Sequence, residues 1–318
     1  MADAPEFVTL IHQPDSFQPG YTDQAEARFI PAYAAAAARA GFTFRVIPVH
    51  ELIPACQQGR PRLWHGDEDL LATRQCFQVD DFAPAPQAAC LLAAVRSTIA
   101  ESSSVLLNQS ADASSDVLTD KLAMTGRAAR LGIPAPAAIA IPYGRHARAV
   151  VPLAVRELGT GPYIIKPRQM AMGNGVLKAG TAEQLAAAVD LAAWSGTGHI
   201  IQAFWPCDGD VRAYYADGQV IAAQLRVPAQ GGYLANVSQG GTATTYTLPE
   251  DLAAMTCRIA ASLKASLLAV DWLLTRCGPM LGEWSAGVGG FADLPEPERA
   301  RVGDAHFGWA RKRFQETR

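Results

Sequence analysis

Short apolar runs alternate with alanine-rich amphipathic stretches along the first third of the chain. Residues 7–13 (FVTLIHQ) have the pattern of a buried strand, followed by a polar loop with Pro and Gly that ends at Gly20. Residues 25–40 are alanine-rich and close on Gly41, a helix with its C-terminal stop. Residues 42–49 alternate as a strand does, 69–75 (DLLATRQ) predict another, 88–101 a helix and 105–108 (VLLN) a further strand. Strands alternating with helices predict a parallel α/β sheet over roughly the first 110 residues. Ligands of such sheets bind beyond the carboxyl ends of the strands. By this reading His12, Arg74 and Asn108 stand at or just after those ends, as surface residues or as ligand contacts, with Arg74 the best placed to grip a carboxylate. No G-x-G-x-x-G follows the first strand, which gives a dinucleotide fold little support.

The pattern then changes. Thr119 or Asp120 can cap a helix running to Leu131, and Gly132 ends it. Lys121 falls in its first turn, where the helix dipole disfavours a cation, so a ligand is the better reason for it. A strand starts at residues 139–141. Lys166 ends the apolar strand that begins after Pro162, and a loop containing Gly173 and Gly175 follows. Glycines let backbone N–H groups close on phosphate oxygens while the lysine supplies a point charge, although the Walker A order is absent. Residues 181–193 form an amphipathic helix and 199–205 (HIIQAFW) a strand halted by Pro206. Strand 213–215, the Asp217-Gly218 turn and strand 219–227 make a hairpin. Arg226 lies among apolar neighbours there and calls for an anionic partner. A glycine-rich loop at 231–241 carries Asn236, and residues 250–268 predict a long helix.

Residues 269–291 (AVDWLLTRCGPMLGEWSAGVGGF) form the most informative stretch, two apolar strands around Cys277-Gly278-Pro279. Asp271 stands early on the first strand and Glu283 late on the second, so the two can face each other across the ladder. Either they cap strand ends in water, or they share a divalent cation that offsets their repulsion and desolvation. The tail from residue 296 is charged, amphipathic and helical in pattern.

Composition narrows the classes. The 318 residues are 49% hydrophobic and 18% charged with net charge −3, and no basic run exceeds Arg311-Lys312-Arg313. No nucleic-acid partner is expected. No apolar run approaches the roughly 18 residues of a membrane span, and MADAPEF lacks the pattern of a secretory signal. Six cysteines without a CxxC pair suit reduced thiols in a cytoplasmic protein. Five lysines against twenty-two arginines make each lysine's position informative.

In order, these pieces resemble the ATP-grasp ligases, and within them bacterial glutathione synthetase and the RimK-type glutamate ligases. TDKLAMTGRAARLGIPAP (119–136) looks like the family's lysine-bearing helix, and IIKPRQMAMGNG (164–175) like its second lysine and glycine loop. QAFWPCDGDVR (202–212) is similar to the hinge strand with D-x-R, and Leu225-Arg226-Val227-Pro228 with residues 236–241 to its L-x-R-x-P and N-x-x-x-G-G elements. The spacing from Asp271 to Glu283 matches the metal hairpin. The resemblance covers most of the chain.

It implies an α/β, α+β ATP-grasp architecture: an N-terminal parallel α/β domain at 1–112, a lid or central subdomain at 113–199, and a C-terminal subdomain with the metal hairpin at 200–318. It also implies residue roles. Lys121 and Lys166, with Gly173 and Gly175, would hold ATP phosphates. Gln202, Phe204 and Trp205 would read adenine, and Asp210 the ribose. Arg212, Arg226 and Asn236 would serve the chemical step, and Asp271 and Glu283 would ligate Mg²⁺ or Mn²⁺. Where the family has E-x-N, this chain has Glu283-Trp284-Ser285, so Ser285 is a shorter and poorer ligand and one of two metals is in question. The activity implied is ATP- and Mg-dependent joining of a carboxylate to an amine through an acyl phosphate, on an amino acid or small peptide. Addition of amino acids to a protein or precursor peptide, a small-molecule kinase and a non-catalytic ATP-binding protein are the alternatives. A homo-oligomer, dimer or tetramer, is the expected assembly.

Overall fold

The computed structural model describes residues 5–13, 21–80, 83, 85–107, 115–287 and 289–316, and they fall into two compact units, Met1–Ser110 with Ala286–Arg318, and Ala111–Ser285. The first unit opens with β1 (Phe7–His12), α1 (Tyr21–Arg39) and β2 (Thr43–Pro48). A small antiparallel sheet follows, made of β3 (Leu52–Gln57), β4 (Arg60–His65) and β5 (Glu68–Asp69). Then come β6 (Cys76–Val79), α2 (Pro86–Ala100) and β7 (Val105–Leu106). As the alternation predicts, β2-β1-β6-β7 form a parallel sheet. One face buries Ile11, Phe77 and Val79 against Leu92, Val95 and Ile99 of α2.

Two expectations are corrected here, and one element is new. Residues 70–75 are not a strand: the Asp69 carboxylate accepts from the N–H groups of Leu63 and Leu71, each at 3.1 Å, and closes a turn that delays β6 until Cys76. Arg74 therefore precedes β6 at its amino end instead of following a strand. Its guanidinium donates to Ser103 O (2.9 Å) and Phe314 O (2.7 Å) and stacks 4.2 Å from the Phe314 ring. Lastly, the β3–β4 hairpin was not anticipated, because Pro54 and Pro61 mask it. Its turn, Gln58-Gly59, has positive φ at both residues (53° and 71°). Asn108 and the loop at 14–20 lie outside the described residues.

The second unit starts with α3 (Ser115–Thr119) and α4 (Lys121–Arg130) and continues through β8 (Ala138–Ala140), α5 (Val150–Leu158), β9 (Tyr163–Pro167), β10 (Leu177–Ala179), α6 (Ala182–Trp194) and β11 (His199–Ala203). These strands make one antiparallel sheet, β10-β9-β11-β8, with Tyr163, Ile165 and Ile201 packed on α5 and α6. A boundary at 199/200 would therefore cut β11. The second antiparallel sheet, β14-β13-β12-β15-β16, is built from β12 (Cys207–Ala216), β13 (Gln219–Val227), β14 (Thr242–Thr245), β15 (Leu267–Thr275) and β16 (Gly278–Ser285). Helix α7 (Glu250–Ser262) stops short of residue 268, since Lys264 takes φ +48° and turns the chain into β15.

The last helix, α8 (Glu298–Glu316), belongs to the first unit and not to a C-terminal subdomain. Phe307 meets Tyr33 and Phe44 edge-on, and Phe314 meets Phe42, on the face of the parallel sheet away from α2. His306 is buried there, bonded through Nε2 to Gln78 Oε1 at 2.9 Å. Burial pushes this imidazole from its ordinary 6.5 down to about 4.

Protonation of His306 therefore favours the unfolded chain, and its stabilising effect is complete above pH 6.5 and lost as pH falls to about 4. By that linkage, the stability advantage of the wild type over His306→Gln should shrink by about 3 kcal/mol between pH 7 and pH 4. Urea unfolding across that range measures it, and a constant difference would refute it.

Candidate active site

All the residues expected to touch nucleotide or metal lie in the second unit. Its larger sheet arranges them by simple alternation. Arg212 pairs with Gln224 on one side and Asp271 on the other, and Asp271 pairs with Glu283, forming a single row across four strands. Asp210 and Arg226, also partners in register, sit two residues along on the same face. A bulge between Asp271 and Trp272 leaves Gly282 unpaired, and a Cβ there would stand 3.2 Å from Asp271 O. The facing of Asp271 and Glu283 inferred from spacing is thus the observed register.

Cations occupy the carboxylates. Arg212 makes a fork to Asp271, Nε to Oδ1 at 2.7 Å and Nη2 to Oδ2 at 2.8 Å. Arg226 reaches Asp271 Oδ2 at 2.8 Å and Asp210 Oδ1 at 2.5 Å, which supplies the anionic partners its burial requires. Burial opposes ionisation of Asp271, yet the two guanidinium groups hold it well below the usual carboxylate range. Asp210 moves the other way, up to about 6, through burial and then the negative charge of Asp271, with Arg226 opposing.

Lys121 approaches from α4. The Asp120 side chain caps that helix by accepting from Leu122 N at 2.8 Å and is also held by Arg168. Lys121 Nζ then reaches Glu283 Oε2 at 3.1 Å and Met170 O at 2.5 Å. Glu283, which burial alone would raise, is left below its ordinary value, with Lys121 the main cause. Lys166, next to last in β9, lines the same cleft. Burial, then the neighbouring charge of Lys121, pushes its ammonium down to about 8.

The glycine loop is braced by the 231–241 loop. Gln239 Nε2 donates to Met172 O at 3.2 Å, and Tyr233 OH to Val176 O at 3.1 Å. Gly173 has φ +78°, and a Cβ on it would come within 2.9 Å of Asn236 Oδ1, so Asn236 needs glycine opposite it. At the far end of the cleft, Gln202 is buried and donates to Pro136 O (3.2 Å), Phe204 N donates to Pro162 O (2.8 Å), and Trp205 lines the wall. Ser285 closes β16 opposite Ala269.

Sequence reading missed several contributors. Lys178 stands 3.7 Å over the Phe204 ring, and the scarcity of lysine was a signal that could have found it. Nothing in the sequence marked Gln239 or Tyr233 as braces. Arg74 belongs to the other unit. Among the described residues no three or more His, Cys, Asp or Glu side chains could hold a metal ion on their own. The Asp271–Glu283 pair fits a hard cation that draws its remaining oxygen ligands from substrate phosphates.

A RimK-like ATP-grasp domain is matched over residues 119–291, more than half of the chain. The chain is 30% identical over 139 residues to a probable alpha-L-glutamate ligase of Syntrophotalea carbinolica, covering 42% of this chain and 46% of that protein. It thus spans about half the length of the curated relatives it matches. D-cycloserine synthetase DcsG shares the fold over 96% of this chain and 99% of its own, with TM-score 0.69 and 15% identity. A RimK domain ATP-grasp protein from Sphaerobacter thermophilus does so over 96% and 98%, with TM-score 0.62 and 17% identity. With the fold, the lysine-bearing elements and the carboxylate hairpin all in agreement, the chain belongs to the RimK-like ATP-grasp family.

Proposed function

We propose that the protein is an ADP-forming ligase that joins a carboxylate to an amine through an acyl phosphate, using an amino acid or small peptide. The observation that carries this reading is the opposed pair Asp271–Glu283, ringed by Lys121, Arg212 and Arg226 in a family member. The substrate carboxylate attacks the γ-phosphorus of ATP and ADP leaves. The amine then attacks the acyl carbon, phosphate departs, and the amine gives up its proton. Lys121 and Lys166 hold phosphate oxygens, while Gly173 and Gly175 let the loop backbone approach them. Gln202, Phe204 and Trp205 hold the adenine, and Asp210 the ribose. Arg226 and Arg212, already oriented by Asp271, face the charge that develops during transfer, and Asn236 steadies the loop around it. Asp271 and Glu283 would hold Mg²⁺, with Ser285 the poorer candidate ligand beside them. When bound, the cation supplies neutralisation of phosphate charge. All six cysteines are free, which supports a cytoplasmic setting, and no described helix is long and apolar enough to cross a membrane.

The decisive experiment is a panel of amino acids and short peptides incubated with ATP, Mg²⁺ and hydroxylamine. The true acid should yield a hydroxamate together with ADP and free phosphate. A stable phosphorylated product without hydroxamate would make the protein a kinase.

Glu283→Gln keeps the side chain's size and removes its charge. Turnover should fall by about a hundredfold or more, with the thermal melt unchanged. Full turnover in that variant would defeat the cation assignment.

Lys166 carries its charge below about pH 8 and loses it above. Phosphate binding favours the charged form, so ATP affinity should weaken as pH rises through 8, by up to about tenfold per pH unit. Calorimetry should find that slope in the wild type and not in Lys166→Met.

A further inference from the structure

Lys178 belongs to the edge strand β10, where it pairs in register with Ile164 of β9, and Ile164 in turn pairs with Gln202 of β11. Residues directly opposite each other project from the same face of a sheet. Ile164 and Gln202 line the cleft of the second unit, so Lys178 stands on the cleft face, away from the face that packs on α5 and α6. Among the described residues no carboxylate pairs with it. Its ammonium lies on aromatic rings instead, with Nζ 3.7 Å from the centroid of Phe204 and 5.9 Å from that of Tyr233. Both rings line the cleft. Because β9 lies between β10 and β11, the lysine crosses a whole strand to reach Phe204, about 10 Å at the usual strand spacing. Holding a long side chain in one posture costs about as much rotamer freedom as an exposed cation–π contact returns. The contact alone is a weak reason for that posture, and a ligand beside it is a better one.

The contact lies at the end of the cleft where Gln202, Phe204 and Trp205 stand. Phe204 is the first residue beyond β11, and its N donates to Pro162 O at 2.8 Å, which ties the backbone and leaves the ring to be fixed by what covers it. The ammonium of Lys178 covers it. Tyr233, the second ring near the ammonium, is itself held by its OH to Val176 O at 3.1 Å, two residues before Lys178. Residues 203–205, the entry to β10 and the 231–241 loop thus converge on one side chain. A flat base bound by its edge needs that short backbone segment in one place before it arrives. We propose that Lys178 is a positioning residue for the nucleotide base: it pins the Phe204 ring and so holds residues 203–205 where the base edge binds. This rests on the nucleotide part of the ligase reading.

The test is calorimetry on the full chain with two probes, ADP with Mg²⁺ and tripolyphosphate with Mg²⁺, the second having phosphates but no base. Lys178→Met keeps much of the length and removes the charge. It should weaken ADP binding by about three- to tenfold, the range of a cation–π contact between exposed and desolvated settings, with the melt unchanged. Tripolyphosphate should bind it as it binds the wild type. Lys178→Arg, whose guanidinium also stacks on rings, should keep the ADP affinity of the wild type. Phe204→Leu should weaken ADP binding, and adding Lys178→Met to it should cost nothing further, since the lysine acts through the ring. If Phe204→Leu fails to fold, the arginine variant and the comparison of probes still decide. Unchanged ADP affinity in Lys178→Met overturns the role. An equal loss for tripolyphosphate also overturns it, by making the lysine a charge for phosphates, and so does a full further loss in the double variant, by making it a direct contact. A wild type that does not bind ADP defeats the nucleotide reading and this role with it, whereas ADP binding that ignores Lys178 defeats this role alone.

Discussion

Asp271 and Glu283 occupy one rung of a hairpin, and their repulsion on a face largely closed to water has to be balanced by positive charge. The balancing cations come from separate places in the chain: Arg212 from β12, Arg226 from β13, Lys121 from α4 and Lys166 from β9. The rung therefore dictates where those elements end and which side chains they offer. Counting Asp210, the anions number three against four cations, so the assembled cleft retains an excess of positive charge. A polyanion such as a nucleotide phosphate tail completes it, whereas a bare cation would have to displace an arginine or lysine first.

Much of this site was legible because the physics that marks it is local. A lysine in the first turn of a helix, an arginine inside an apolar strand and a carboxylate pair at facing positions are each unfavourable by themselves, and a sequence reader can notice that. The partners were not legible. Whether Arg226 would meet Asp210, Asp271 or a ligand depends on the register of β12 against both neighbours, which is interrupted at Tyr214/Tyr215 against β13 and at Cys207/Asp210 against β15. Arg74 failed for a related reason: its neighbours are apolar enough to read as strand, but a single carboxylate, Asp69, captures two backbone N–H groups and folds them into a turn. The β3–β4 hairpin was hidden by prolines that its small sheet tolerates, and α7 ended early at one residue with positive φ.

The braces on the glycine loop illustrate a different limit. Gln239 and Tyr233 are ordinary residues in a loop rich in glycine, and their value lies only in reaching Met172 O and Val176 O from about sixty residues away. Two donors fasten the backbone of a loop that takes left-handed turns at Met172, Gly173 and Gly175.

The placement of α8 has a consequence for how the chain is made. Phe42 and Phe314 stack in the same core, and Arg311 reaches the carbonyls of Ala40 and Gly41. During synthesis, the parallel sheet emerges before its covering helix, and the whole of the second unit is made between them. The second unit, contiguous from Ala111 to Ser285, can close in the meantime. The sheet is thus completed only after the unit that follows it in sequence, and until then its aromatic face is the surface most in need of a chaperone's cover.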